Sequence, residues 1–363
     1  MKILLLITKA EIGGAQAFVL NLAKGLKAAE DDISVAAGLG DYLPEELKKA
    51  NIPFYRLNNL KRSQNPLTNW LFSRELKKLI DQEGFELIHL NSSNALAGAL
   101  AARWSKKKPR VIFTVHGLSV LDPKYPAPGL LKVIYRFYFK FFLRYVNKTV
   151  FVSRYDFREG EKQGISARGI VIYNGLDFGP DYFLSPTVAR LEIAKLINRD
   201  LGESYLLGSI GRLAPQKNYD FLIRLWPEIK KIKPTAKLII IGEGPSRQKY
   251  EELITSLNLK EDIYLPGELK DASRLLKAFD LFVLPSLHEG LSISLIEAVL
   301  GGVPVLASEV GGNSEVIGET NCFVLNDTAA FLSHFTRPDK SKTEAVSFSA
   351  STMVKEYQKI YEF

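Results

Sequence analysis

The sequence predicts a two-domain α/β protein built from parallel strand–helix–strand units. Three observations predict it. The chain has 363 residues, more than one hydrophobic core usually serves. Apolar runs of strand length alternate with helix-period stretches from one end to the other, the pattern of parallel βαβ units. Hydrophobic residues make up 46% and charged residues 24%, the balance of a soluble globular chain rather than a disordered or membrane-spanning one.

The first half carries six strand-length runs: KILLLIT (2–8), ISVAAGL (33–39), LIHL (87–90), RVIFTVH (110–116), TVFVS (149–153) and IVIYN (170–174). The second half carries five: YLLGSIG (205–211), KLIIIG (237–242), IYLPG (263–267), LFVLPS (281–286) and PVLAS (304–308). Each is followed by a loop with Gly, Asn, Ser or Pro and then a helical stretch. The boundary falls in 177–190, giving domains over 1–180 and 181–347, with a helix over 348–363 whose apolar face (Met353, Tyr357, Ile360, Tyr361) could return to the first domain. Residues 326–347 are short and poorly patterned for helices. The N-terminal apolar run, Ile3 to Ile7, is strand-length and no small-residue cleavage site follows, so a signal peptide is not expected.

Composition excludes several classes. A single cysteine, Cys322, cannot form an internal disulfide and suits a reducing cytoplasm, and with four scattered histidines a structural zinc site is not expected. Residues 1–180 carry a net charge of +11 and the remainder −3, so the halves suit different partners. No nucleic-acid-binding signature accompanies the basic half, and no nucleic-acid partner is expected; an anionic membrane or acidic acceptor suits it as well as unpartnered surface lysine does. Residues 129–145 interleave seven aromatics with Lys132, Arg136, Lys140 and Arg144. That pattern describes either a helix lying in an anionic bilayer interface or a mostly buried helix whose cations mark its wet side.

In open α/β sheets ligands bind beyond the carboxyl ends of the strands, so the residues after each run are the ones that carry chemistry. Phe282 to Ser308 reads as a strand, a polar turn, a helix capped by Ser292 and ending at Gly301-Gly302, and a second strand. Glu289 sits in the turn and Glu297 in the helix, eight positions apart, beside a helix N-terminus that favours an anion. Arg212 and Lys217 share the loop after 205–211, and with no nearby acid to neutralise them they suit a pyrophosphate. Gly13-Gly14-Ala15 after the first strand reads equally as a ligand-approaching loop or a plain tight turn, and it lacks the dinucleotide fingerprint, which disfavours a nicotinamide dehydrogenase.

These motifs resemble the retaining, nucleotide-sugar-dependent GT-B glycosyltransferases of the family-four type. The stretches GGA (13–15), TVHG (114–117), FVS (151–153), YNGLD (173–177), GRLAPQKN (211–218), GEGP (242–245), LPG (265–267), the E-x7-E segment and EVGGNSEVI (309–317) run in family order. The resemblance implies two Rossmann-like domains facing across a cleft, the donor held by the C-terminal domain and the acceptor mainly by the N-terminal one. It implies that Arg212 and Lys217 hold the diphosphate without a metal, that Glu297 binds ribose, and that Glu289 meets the donor sugar beside Gly290, Leu291 and Ser292. Gly211 and Gly242 would line the nucleotide, and His116 would reach the donor sugar. Gly14 would lie by the phosphates, with Gly13, Gly14 and Ala15 also near the acceptor. The co-substrate would be a nucleoside diphosphate-sugar, UDP favoured over GDP, with no cofactor. The acceptor would be a glycan or lipid-linked hydroxyl at the inner face of the cell membrane, in envelope polysaccharide or glycolipid synthesis. A nucleotide-sugar epimerase of the same fold and a non-catalytic nucleotide-sugar or glycan-binding protein are the alternatives. Ser292 departs from the Pro or Gly expected in its turn.

Overall fold

A computed structural model describes residues 1–63, 65–123, 125–166, 168–336 and 348–362. The chain forms two compact units, Met1–Asp177 with Val346–Phe363, and Phe178–Ala345.

The first unit is a seven-stranded parallel sheet. Its strands are β1 (Lys2–Ile7), β2 (Asp32–Ala37), β3 (Phe54–Arg56), β4 (Leu87–Leu90), β5 (Arg110–Val115), β6 (Lys148–Phe151) and β7 (Gly169–Val171). They lie in the order β3-β2-β1-β4-β5-β6-β7, so the winding direction reverses between β1 and β4. The central strands are buried on both faces, which is why they read as continuous Ile/Leu/Val runs rather than alternating ones. One face packs under Phe72, Leu76, Phe139 and Phe142, the other under Phe18, Leu22 and Leu26 of the helix Gly14–Ala28.

The C-terminal helix, Ala350–Tyr361, docks on the helix Gly14–Ala28. Gly25 permits this approach: a Cβ there would sit 2.3 Å from Val354 Cγ2. Beneath the helix runs a buried polar chain. His89 Nδ1 lies 2.6 Å from the Tyr361 hydroxyl, His89 Nε2 lies 2.7 Å from Thr114 Oγ1, and Thr114 Oγ1 lies 2.9 Å from the Tyr357 hydroxyl. Burial holds the His89 pKa well below its ordinary value, so the ring is neutral and each hydroxyl satisfies one nitrogen. Tyr361→Phe strands His89 Nδ1 in the core and is expected to cost about 1–3 kcal/mol. Urea unfolding checks this; an unchanged midpoint would uncouple the C-terminal helix from the first unit's stability.

The second unit is a six-stranded parallel sheet of β8 (Tyr205–Ile210), β9 (Ala236–Ile241), β10 (Ile263–Gly267), β11 (Leu281–Leu284), β12 (Val305–Ser308) and β13 (Cys322–Phe323). Its order, β10-β9-β8-β11-β12-β13, repeats the first sheet's reversal between its first and fourth strands. Two strands have no counterpart among the expected runs: β3 and β13 have three and two residues and lie at or beside a sheet edge, so neither needs an apolar run. Residues 326–336 contain the helix Thr328–Thr336, while 337–347 lie outside the described residues. Among the described residues no helix is long and apolar enough to cross a membrane.

The segment 129–145 forms the helix Gly129–Leu143, and of its side chains only Phe139 and Phe142 are buried. The alternative of a mostly buried helix is therefore corrected: Leu130 (73%), Ile134 (54%), Phe137 (70%) and Phe141 (41%) are exposed.

Candidate active site

In open parallel sheets ligand sites form where the winding reverses, beyond the loops that leave two neighbouring strands. In the second unit these loops follow β8 and β11, and hydrogen bonds join them. Gln216 Nε2 donates to the His288 carbonyl at 2.9 Å, and Leu287 N donates to the Gln216 carbonyl at 2.8 Å. Lys217 Nζ reaches Glu289 Oε1 at 2.7 Å, and Ser286 Oγ donates to the same oxygen at 2.7 Å. The Lys217 and Glu289 side chains are only 15% and 9% exposed. This corrects the expectation of two cations without a nearby acid: Lys217 is neutralised by Glu289 from the neighbouring loop. Spacing along the chain could not reveal a pair 72 residues apart. Arg212 is exposed and forms no ion pair among the described residues, which leaves it as the uncompensated cation of the loop.

Backbone packing fixes these loops. At Gly242 a Cβ would lie 2.0 Å from the Gly211 carbonyl oxygen, so the turn after β9 presses on the turn after β8. Gly311 has φ +55°, and a Cβ there would lie 1.9 Å from the Glu289 carbonyl oxygen. Gly312 N donates to the Gly290 carbonyl at 2.7 Å, so the loop after β12 braces the Glu289 loop from behind. Leu291 and Ser292 are buried, and Ser292 Oγ caps the helix Ile293–Leu300 by accepting from Leu295 N at 3.4 Å.

Glu297 rides on that helix in a second cluster, which the sequence reading missed because its members lie far apart along the chain. Ser273 hydrogen-bonds the carboxyl group, and the Tyr182 hydroxyl lies 2.8 Å from Ser273 Oγ. Phe178 stacks on Tyr182 at 4.4 Å between ring centroids. A recess of about 480 Å³ lies against Tyr182, Asp271 and Arg274. Burial, and secondarily repulsion from Asp271, raise the Glu297 pKa to about 7 against the pull of Ser273. An acid whose folded pKa lies above its unfolded value takes up protons on folding. Its contribution to stability is therefore full below about pH 4.5 and lost as pH climbs through about 7. Glu297→Gln is expected to stabilise the second unit at pH 8 by about 2 kcal/mol, allowing for partial exposure, and to change little at pH 5. Melting curves at both pH values check it; equal shifts would remove the titration as the cause.

In the first unit Gly13 precedes, and Gly14 opens, the helix Gly14–Ala28, with Ala15 in its first turn. Gln16 Nε2 folds back to the Lys9 carbonyl at 2.9 Å, closing the loop after β1. His116 follows β5, its ring 4.6 Å from that of Phe18 on the same helix. Its Nε2 is buried with no hydrogen-bond partner among the described residues, and burial lowers its pKa to about 3, so the ring is neutral at pH 7. Gly13, Gly14, Ala15 and His116 thus belong to one unit. Arg212, Lys217, Glu289 and Glu297, with Gly211, Gly242, Gly290, Leu291 and Ser292, belong to the other. Among the described residues no three His, Cys, Asp or Glu side chains gather as metal ligands would.

Comparison with known proteins identifies the family. The sequence model for glycosyltransferase family 4 matches residues 12–179, and that for glycosyl transferases group 1 matches 195–335. The Escherichia coli UDP-Gal:alpha-D-GlcNAc-diphosphoundecaprenol alpha-1,3-galactosyltransferase is 28% identical over 301 residues, 81% of this chain and 73% of that protein. A Bacillus subtilis protein named as a glycosyltransferase, EpsD, is 25% identical over 95% of this chain and 93% of its own length. Among solved structures, Anabaena HepE in complex with UDP and glucose superposes with a TM-score of 0.81 at 20% identity, covering 100% of this chain and 99% of that one. Sucrose-phosphate synthase from Thermosynechococcus elongatus superposes at 0.80 and 19% identity, covering 100% and 98%. With both halves matched in order and the two-unit parallel-sheet fold shared, the chain belongs to the GT-B glycosyltransferases of the family-four type.

Proposed function

We propose that this glycosyltransferase moves a sugar from a UDP-sugar to a hydroxyl of a lipid-linked or glycan acceptor, with retention at the anomeric carbon and without a metal. The acceptor belongs to envelope polysaccharide or glycolipid synthesis, and the reaction runs at the inner face of the cell membrane. The observation that carries the reading is the Lys217–Glu289 pair together with Arg212, unpaired among the described residues, in the two loops at the second sheet's reversal point. A diphosphate there meets the exposed Arg212 guanidinium and the Lys217 ammonium that Glu289 holds in place, and these offset the charge that grows on the leaving nucleoside diphosphate as the glycosidic bond breaks. Glu289 keeps its other oxygen for a sugar hydroxyl, and Glu297 takes the ribose hydroxyls. The names of relatives support the chemistry: one uses UDP-Gal and a diphosphoundecaprenol-linked acceptor, and HepE was solved with UDP and glucose.

Thermal-shift measurement against UDP-, GDP- and ADP-sugars, followed by product analysis, tests the reading. UDP-sugars are expected to stabilise the protein, transfer is expected to survive chelator, and the product anomer is expected to match the donor's. No stabilisation by any nucleotide-sugar, with Arg212→Ala and Glu297→Ala inert, would overturn it. An isomerised nucleotide-sugar released without acceptor would replace it with the epimerase reading. Because ionised Glu297 accepts ribose hydroxyl protons best, UDP affinity is expected to rise as pH climbs from 6 to 8, by up to about tenfold per unit below about pH 7. Titration calorimetry at three pH values checks it, and a flat profile would detach Glu297 from the nucleoside.

A further inference from the structure

The face of the first unit that carries the helix Gly129–Leu143 has no role in the chemistry above. Leu130, Ile134, Phe137 and Phe141 recur at offsets of four, three and four, so they form one exposed edge. The opposite side is anchored by buried Phe139 and Phe142 and by the Tyr138 hydroxyl, which donates to the Ser93 carbonyl at 3.0 Å. Beside the apolar edge stand Arg136, Lys140 and Arg144, all exposed. Lys132 differs: its Nζ is spent on the Asp122 and Pro123 carbonyls at 3.0 and 3.2 Å.

Arg144 links this edge to a second feature. Its guanidinium lies over the Phe141 ring at 4.8 Å, and it also lines a recess of about 290 Å³ at the amino ends of β5 and β6. Arg103, Lys108 and Arg168 line the same recess, with no carboxylate among the lining residues. None of the four cations is in an ion pair among the described residues. Lys108 and Arg168 hold φ +45° and +59°, a left-handed conformation that non-glycine residues adopt at a cost. Four exposed cations around one recess with no lining carboxylate make it electropositive, and an anion with several oxygens offsets that charge while matching the guanidinium forks. The surroundings reinforce it: between Glu86 and Asp156 the sequence has twelve Lys and Arg against the single acid Asp122.

We propose that this recess is a phosphate-binding site for the headgroup of an anionic lipid, filled when the Leu130–Phe141 edge lies in the bilayer interface. The exposed apolar edge favours a bilayer over dissolved phosphate, and the excess of cations favours an anionic bilayer over a neutral one. The site rests on the membrane location proposed above but is separate from the donor loops, which lie in the other unit.

The test is co-sedimentation of the full chain with vesicles of phosphatidylglycerol and phosphatidylcholine, and with phosphatidylcholine alone. The wild type is expected to bind the anionic vesicles and to bind neutral ones at least about tenfold more weakly. Arg103→Glu/Arg168→Glu, both away from the apolar edge, is expected to weaken anionic-vesicle binding by about tenfold or more. Ile134→Ser/Phe137→Ser is expected to release the protein from both compositions. Stabilisation by UDP is expected to persist in every variant, which reports an intact second unit. Equal binding of the two vesicle types, or wild-type affinity in Arg103→Glu/Arg168→Glu, would overturn the proposal. So would inorganic phosphate stabilising the wild type without any vesicle binding, or a dimer in solution that Phe137→Ser dissolves. Vesicle binding without any response to UDP-sugars would sink the donor reading and leave this one standing.

Discussion

Lys217→Ala is expected to lower kcat/KM by about 10²- to 10³-fold, the size of effect seen when a fixed charge aimed at a developing anion is removed. The same change should also destabilise the second unit. Glu289 is 9% exposed and shares one oxygen between Lys217 and Ser286, so deleting the ammonium leaves a desolvated carboxylate with a single hydroxyl donor. Breaking a pair this buried costs about 3 kcal/mol where the remaining charge cannot relax. Arg212→Ala provides the contrast. Arg212 is exposed and unpaired among the described residues, so its removal should cut turnover by a similar factor while leaving the melting temperature in place. Steady-state kinetics and calorimetry on the two variants separate the roles. Near wild-type turnover in both would remove the cation pair from the reaction.

Gly311→Ala is expected to be the most damaging single methyl addition near the site. Its φ of +55° already disfavours a side chain by about 1–2 kcal/mol. The added carbon would also sit 1.9 Å from the Glu289 carbonyl oxygen and 3.2 Å from that of Gly290, both backbone atoms that no rotamer change can move. The loop carrying Glu289 must shift, and with it the partner of Lys217. The combined cost should reach about 3 kcal/mol, with donor affinity falling more than about tenfold. Calorimetry and donor titration check both halves of this expectation. An alanine variant with unchanged donor affinity would show that the loop tolerates displacement.

Much of this architecture was legible in the sequence because parallel sheets buried on both faces leave long unbroken apolar runs. The central strands β1, β4, β5, β8, β9 and β11 announced themselves in this way, and the Ser292 cap followed from local chemistry. Edge strands need no such run, and so Phe54–Arg56 and Cys322–Phe323 went unseen. Residues carried by one loop could be grouped in advance, as with Arg212 and Lys217, but not the acid that faces Lys217. Chemistry assembled by topology was not legible. Nothing local in the sequence pairs Lys217 with Glu289, joins Tyr182 to Ser273 beside Glu297, or presses Gly311 against the Glu289 backbone. Gly311 did stand in the EVGGNSEVI stretch, where only the fold shows why a glycine is required. The 129–145 helix was read correctly as amphipathic, but its exposure depended on which side the neighbouring core would claim.

The return of Ala350–Tyr361 to the first unit has a kinetic corollary. Its side chains Met353, Tyr357 and Tyr361 complete a core begun by Phe18 and Leu22, and the His89–Tyr361 contact spans 272 positions. On the ribosome the first unit therefore emerges early yet stays unfinished, while the second unit is contiguous and can close without waiting. The order of completion reverses the order of synthesis. Until the last helix arrives, the apolar groove over Phe18 and Gly25 is open to solvent and to chaperones.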